Sequence, residues 1–279
     1  MSGINYQLLC TDIDGTLLDN HGEISDANVA AVQAAVRAGK RVVLASGRTW
    51  HSMKMYEERL GIHLPGQFGV GFNGGAVYEI MDDGDVRLLH TDLMPAAIAQ
   101  EIFAAMASVV AQFNGMYMLA YNNEGYLIAE EALKESKLFD EMIKLGARVT
   151  PTYAELPGDM YKILIFGEHE DLLQAADFAN TQFTGRCQCM FSARQLLELI
   201  PTGVDKGRGV SLLAAHLNIP MSQVICMGDE GNDLAMLHAA GLGVAVANAV
   251  PDAIAAADVH LDVSNNDSAL AAVIYRYLM

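Results

Sequence analysis

Tyr6-Gln7-Leu8-Leu9-Cys10-Thr11-Asp12-Ile13-Asp14-Gly15-Thr16-Leu17 is the stretch that decides how this chain folds. Tyr6 to Cys10 is a short apolar run, which reads as a buried strand of a parallel sheet. Two carboxylates follow at once, one residue apart, and Gly15 lets the chain turn sharply behind them. In an open parallel sheet, ligands bind beyond the carboxyl ends of the strands. Asp12 and Asp14 there can share a hard cation such as Mg²⁺, and a carboxylate can also attack phosphorus. Asp-x-Asp by itself is equally at home in a solvated turn; its position directly behind an apolar strand favours a site.

The flanking segments repeat the pattern. Ser25 caps a helix expected to run to about Ala38, and Arg41 to Ala45 and Phe68 to Phe72 read as further strands. This β-α-β-α-β order implies a parallel sheet covered by helices. The last third has the same style. Lys206 to Leu217, Asn232 to Ala240, Pro251 to Ala257 and Ser268 to Leu278 read as helices. Between them Gln223 to Met227, Gly243 to Ala247 and Val259 to Leu261 read as strands. The middle differs, with longer segments: helices over Met94 to Gln112 and His169 to Phe183, strands over Met160 to Phe166 and Arg186 to Phe191. The expected architecture is an α/β, Rossmann-like parallel-sheet core over 1–83 and 191–279. A second α/β domain is inserted at 84–190.

Three more features end on strand termini. Gly228-Asp229-Glu230-Gly231-Asn232-Asp233 follows the strand Val224 to Met227. Acids at a strand-to-helix junction are ordinary helix caps, which accounts for one or two of them. If the two strands are neighbours, Asp229 completes a metal site with Asp12 and Asp14, and Asp233 suits an outer position that orients a ligand or a lysine. Lys206 opposes the dipole of the helix it begins; it is a surface lysine or a point charge for a phosphate oxygen. Ser46-Gly47-Arg48 offers a hydroxyl and the next amide as a small anion cradle. Arg48 is expected to form an ion pair near the site. Asn73-Gly74-Gly75 is read as backbone shape beside it. Cys187-x-Cys189 is half a thiolate metal site at most, since no partner pair lies nearby.

These motifs, in this order, resemble the haloacid dehalogenase superfamily of phosphatases, matching it at Asp12-Ile13-Asp14-Gly15-Thr16, Ser46, Lys206 and Gly228-Asp229-Glu230-Gly231-Asn232-Asp233. The Asn73-Gly74-Gly75 run and the long α/β insertion are similar to its Cof-type sugar-phosphate branch. The resemblance implies Asp12 as nucleophile and Asp14 as general acid/base. It implies Mg²⁺ held by the Asp12 carboxylate, the Asp14 backbone carbonyl and Asp229. It assigns the phosphoryl group to Ser46, Gly47, Lys206 and Asn232, helped by the Ile13 backbone. The insertion would be a cap contacting the leaving group of a small phosphorylated metabolite. A phosphotransferase or phosphomutase on the same core, or a non-catalytic sensor of phosphorylated ligands, remain alternatives.

Composition bounds the partners. The 279 residues carry 17 Lys+Arg against 34 Asp+Glu, a net charge of −17. Such a field repels nucleic acid and anionic membrane, so any phosphate must be drawn in locally. Residues 84–190 hold 15 acids and 7 basic residues, which disfavours a polyanionic leaving group. No window approaches the ~20 apolar residues of a membrane span. The opening residues lack the pattern of a secretory leader, and the four cysteines suit a reducing setting, so a cytoplasmic protein is expected. Oligomeric state is not legible.

Overall fold

The computed structural model describes residues 4–122, 125–129, 148–150 and 158–279; the strands at 125–129 and 148–150 are described by backbone alone. The chain builds two compact units, Met1–Thr91 with Asp205–Met279, and Asp92–Val204.

The first unit opens with β1 (Leu8–Thr11), α1 (Asp26–Arg37), β2 (Arg41–Leu44), α2 (Trp50–Leu60), β3 (Phe68–Gly71), β4 (Ala76–Ile80) and β5 (Val86–Thr91). The Ser25 side chain caps α1 by accepting the Asn28 amide at 3.2 Å. The second unit follows with α3 (Ala96–Val110), β6 (Tyr117–Asn122), β7 (Gly125–Ala129), β8 (Arg148–Thr150), β9 (Lys162–Phe166), α4 (His169–Gln182), β10 (Gln188–Ala193) and β11 (Leu196–Ile200). The chain then returns through α5 (Lys206–His216), β12 (Val224–Gly228), α6 (Leu234–Ala239), β13 (Leu242–Ala245), α7 (Pro251–Ala256), β14 (Val259–His260) and α8 (Ala269–Val273).

The core sheet of the first unit has the order β14-β13-β12-β1-β2, with every neighbouring pair parallel. Its strands are apolar on both faces, so alternate residues feed two separate layers. Leu9, Leu44, Ile225 and Met227 pack with Val29 and Val32 of α1 and Leu270 and Val273 of α8. Leu8, Cys10, Val43 and Cys226 pack on the other side with Val210 and Leu213 of α5 and Met236 of α6. The first half of the chain meets the last third at the centre of this sheet. β1 lies against β12 with Thr11 opposite Met227, so the two carboxyl ends are level.

β3 departs from the expected parallel sheet. It meets the edge of the sheet at a parallel bridge between Ala45 and Val70, in the expected direction, where the Ser46 amide donates to the Val70 carbonyl at 2.9 Å. Its full ladder is antiparallel to β4, which pairs in turn with β5. The tight turn Phe72–Gly75 brings β4 back on the same edge, and a hairpin partner so near in sequence is formed more readily than a distant one.

The units change over at 91/92 and 204/205 rather than at 83/84 and 190/191. Two hairpins explain the difference. β5 pairs with β4 and so stays with the first unit. β11 lies between β10 and β9 in the second sheet, and no break in composition announced it. That sheet has the order β10-β11-β9-β6-β7-β8 and is antiparallel except between β7 and β8. Helix α3 buries Ala99, Ile102, Phe103 and Met106; α4 buries Leu172, Ala175 and Ala179. Inside this unit Lys162 and Glu198 form a buried ion pair at 2.8 Å, and Ser192 Oγ donates to Glu198 at 2.6 Å. Among the described residues no helix is long and apolar enough to cross a membrane.

Candidate active site

Asp12 is the first residue beyond β1, and Asp229 the first beyond β12. The Asp12 amide donates to the Met227 carbonyl at 3.0 Å, which fixes its backbone against the neighbouring strand. The next side chain, Ile13, is fully buried in the core, so only its backbone is left to face the site. Lys206 begins α5, whose N-cap is Asp205. That helix can start so close to the sheet because Gly74, at φ +94°, presents no side chain; a Cβ there would lie 2.0 Å from the Asp205 carbonyl oxygen. Gly74 thus shapes the site, as expected of the Asn73-Gly74-Gly75 run.

The charged groups converge. Lys206 Nζ donates to Asp12 Oδ1 at 2.6 Å and to Asp233 Oδ1 at 2.5 Å, with its side chain fully buried. Asp233 Oδ2 accepts the amides of Asp229 and Glu230 at 2.9 and 3.0 Å. Both of its oxygens are therefore taken, which suits the expected outer role of orienting Lys206 and the Asp229 loop. Thr16 Oγ1 donates to Asp229 Oδ1 at 2.7 Å. Asp12 and Asp229 each have one oxygen engaged in this way.

These environments shift the proton affinities. Burial raises Asp12 well above the usual carboxylate range; Asp233 and Asp229 add to the shift and Lys206 opposes it. Burial likewise pushes Asp229 up to about 7, against the Thr16 hydrogen bond and with the help of the Asp233 charge. For Lys206 burial would lower the value, but the Asp12 and Asp233 carboxylates outweigh it and the ammonium is held above its ordinary range. Fully ionised, three buried carboxylates against one ammonium would carry an excess of negative charge, and their mutual repulsion adds to the upward shifts of Asp12 and Asp229.

That excess is the fit test for a divalent cation. Carboxylate oxygens of Asp12, Asp229 and Asp233 lie within 4.8 Å of one another, and of these Asp12 and Asp229 each keep an oxygen that Lys206 and Thr16 do not engage. Opposed oxygens around Mg²⁺ lie about 4.2 Å apart, so the donor set is of the right size and hardness. The group is anionic enough to need the charge. The Asp14 carboxylate is not in it. It points instead to Arg48, whose Nε and Nη2 donate to its two oxygens, both at 2.7 Å.

The remaining predicted residues meet around a side chain that sequence reasoning undervalued. Asn73 is fully buried and accepts the Asn232 side-chain amide at 3.2 Å, and its own backbone amide donates to the Ser46 carbonyl at 3.0 Å. A Cβ on Gly47 would lie 3.0 Å from Asn73 Oδ1. Phe72 and Asn73 are consecutive non-glycine residues at φ 52° and 55°, a strained backbone that tends to mark functional sites. Ser46 is buried, and its Oγ accepts the Arg48 amide at 3.3 Å. The signal that could have found Asn73 was an Asn before two glycines at a strand end, since Asn tolerates the left-handed region.

Burial pushes Cys187 up to about 11 and Cys189 up to about 12, so both are protonated near neutrality.

Comparison with known proteins agrees with this geometry. Residues 9–274 match the family model described as haloacid dehalogenase-like hydrolase. The HMP-PP phosphatase of Serratia proteamaculans is 31% identical over 251 residues, 88% of this chain and 85% of that protein. The 5-amino-6-(5-phospho-D-ribitylamino)uracil phosphatase YitU of Bacillus subtilis is 26% identical over 277 residues, 97% of each. Among solved structures, a haloacid dehalogenase-like hydrolase from Bacteroides thetaiotaomicron superposes with a TM-score of 0.80 at 26% identity, covering 98% of this chain and 99% of that one. A strand-end aspartate paired with a buried lysine, on a chain matched almost end to end, makes this protein an enzyme that belongs to the haloacid dehalogenase-like hydrolases.

Proposed function

We propose that this enzyme is a Mg²⁺-dependent phosphatase that hydrolyses small phosphomonoesters, sugar phosphates among them, through an aspartyl-phosphate on Asp12. The observation that carries the reading is the Lys206 ammonium shared by Asp12 and Asp233, with the Asp229 carboxylate alongside. The pairing offsets part of the cost of an Asp12 anion in a buried place, and a carboxylate nucleophile must be such an anion.

In the first step an Asp12 carboxylate oxygen bonds to phosphorus, the ester P–O bond breaks, and Asp14 gives a proton to the leaving oxygen. In the second, Asp14 takes a proton from water, the water oxygen bonds to phosphorus, and the bond to Asp12 breaks to release inorganic phosphate. Mg²⁺, held by Asp12, Asp229 and the Asp14 backbone carbonyl, supplies charge neutralisation between two anions. Lys206, Ser46, the Gly47 amide and Asn232 orient the phosphoryl oxygens, helped by the Ile13 backbone. Asp233 keeps Lys206 in place. The unit Asp92–Val204 is assigned the selection of the leaving group, as an inserted cap. The named substrates of the relatives, each a small phosphorylated compound, support the substrate class.

The test is a panel of phosphate esters assayed for free phosphate with Mg²⁺ and with EDTA, for wild type and Asp12→Asn. Phosphate release that needs both Mg²⁺ and Asp12 is expected. Activity surviving in the variant, or transfer to a second sugar without net release, would overturn it.

A further inference from the structure

We propose that Arg48 is a positioning residue for the Asp14 carboxylate, aiming it at the leaving oxygen and holding it apart from the metal-binding carboxylates. This rests on the phosphatase reading above. The two guanidinium hydrogen bonds, both 2.7 Å, fix the plane of the carboxylate as well as its distance.

The pair is anchored at both ends, unlike an ordinary surface ion pair. The Arg48 amide donates to Ser46 Oγ at 3.3 Å, and its carbonyl accepts the amide of the strained Phe72 at 3.1 Å. Its guanidinium lies over the Tyr56 ring, 5.2 Å from the centroid. On the other side, Asp14 stands between the fully buried Ile13 and Gly15, whose carbonyl accepts the Asn248 side-chain amide at 2.8 Å. The two side chains are 34% and 57% exposed, so the pair adds little to stability. Ordering of this kind at an exposed carboxylate is better explained by what the carboxylate does. Four carboxylates in one buried cluster would compete for one cation. The Arg48 fork removes Asp14 from that competition and leaves it open to a substrate. During ester cleavage, one Asp14 oxygen gives its proton to the leaving oxygen while the other stays bonded to Arg48.

The experiment compares kcat/KM for 4-nitrophenyl phosphate, whose leaving group needs little protonation, with that for the best alkyl phosphate of the panel. Wild type, Arg48→Gln, Arg48→Lys and Asp14→Asn are measured with Mg²⁺. Arg48→Gln is expected to lose about tenfold or more on the alkyl ester and less than about threefold on the aryl ester, since a positioned acid is worth roughly 10²–10⁴. Asp14→Asn should show the same selectivity more strongly, and Arg48→Lys should fall between. Mg²⁺-dependent thermal stabilisation of each variant confirms an intact cluster; if Arg48→Gln does not fold, the selective loss must appear in Arg48→Lys. Equal loss on both esters, or none, would overturn the inference. If Asp14→Asn discriminates and the Arg48 variants do not, only the role of Arg48 fails. If the wild type hydrolyses neither ester, the phosphatase reading fails instead.

Discussion

Lys206 Nζ lies 2.6 Å from Asp12 Oδ1, although 194 residues separate them in the chain. The contact is made by two strand and helix termini meeting at one edge of the core sheet, and it is completely buried on the lysine side. An ammonium placed there is stable only because two carboxylates receive it.

Replacing Lys206 by Met should therefore unfold the protein more easily as well as inactivate it. Asp12 and Asp233 would be left as buried carboxylates without their cation, a loss of about 3–5 kcal/mol for breaking such a pair. Chemical denaturation reads this directly. Adding Asp233→Asn to the same chain should restore part of the stability and none of the activity. A double variant no more stable than the single one would argue that the Lys206–Asp233 bond carries little of the cost.

The raised value of Asp229 sets a pH dependence in the metal-free protein. Its folded pKa, about 7, stands above the ordinary 3.8. The stability it contributes is thus complete below the ordinary value and is lost as pH rises through the folded one. In EDTA, the Tm of wild type should fall relative to that of Asp229→Asn between pH 5 and 8, by roughly 5 °C or more. At the proposed site Mg²⁺ would bind the deprotonated form, so its stabilising effect on wild type should grow over the same range and be weak in the variant. Parallel melting curves for the two proteins would show that Asp229 ionises normally.

Gly15→Ala tests how tightly the first loop is built against the proposed metal ligand Asp229. Gly15 has φ +78°, and a Cβ on it would sit 2.3 Å from Asp229 Oδ2. The left-handed backbone costs a non-glycine residue roughly 1–2 kcal/mol, and the Asp229 carboxylate must also move. Calorimetric titration with Mg²⁺ is expected to show affinity reduced about tenfold or more, by analogy with other disturbed metal sites. Unchanged Mg²⁺ affinity would place the metal away from Asp229.

Asn73 can be dissected by two substitutions. Asn73→Gly keeps the left-handed backbone and deletes the amide that meets Asn232, so kcat/KM should fall while the backbone is undisturbed. Asn73→Ala deletes the same amide but keeps the strain, and it should be less stable than Asn73→Gly by about 1–2 kcal/mol. Denaturation curves that coincide for the two variants would mean that the backbone has relaxed.

Much of this site is legible in the sequence. An apolar run followed by Asp-x-Asp-Gly-Thr fixes local conformation through neighbours only a few residues away: a buried strand, its end, and a glycine turn. The same local logic located Asp229 and Asp233 behind β12, Ser46 just past the end of β2, and Lys206 at the start of a helix. The strand-end positions of all these groups follow from periodicity and turn chemistry, which act over short stretches of chain.

The tertiary structure alone decided which of these groups touch. The register of β1 on β12 puts Asp12 beside Asp229, and the approach of α5 over Gly74 brings Lys206 between Asp12 and Asp233. Asp14 pairs with Arg48 across 34 residues rather than joining the cluster, and Asn73 enters the site with its side chain as well as its backbone. β11 and the β4–β5 hairpin moved the unit boundaries because strand pairing, unlike helix periodicity, is satisfied by partners that may lie anywhere along the chain. The sequence by itself determined that Asp12 ends a buried strand with an acid two residues on. Which acid stays with the lysine and which goes to the arginine was settled by packing, since burial and the direction of each side chain exist only once the sheet is assembled.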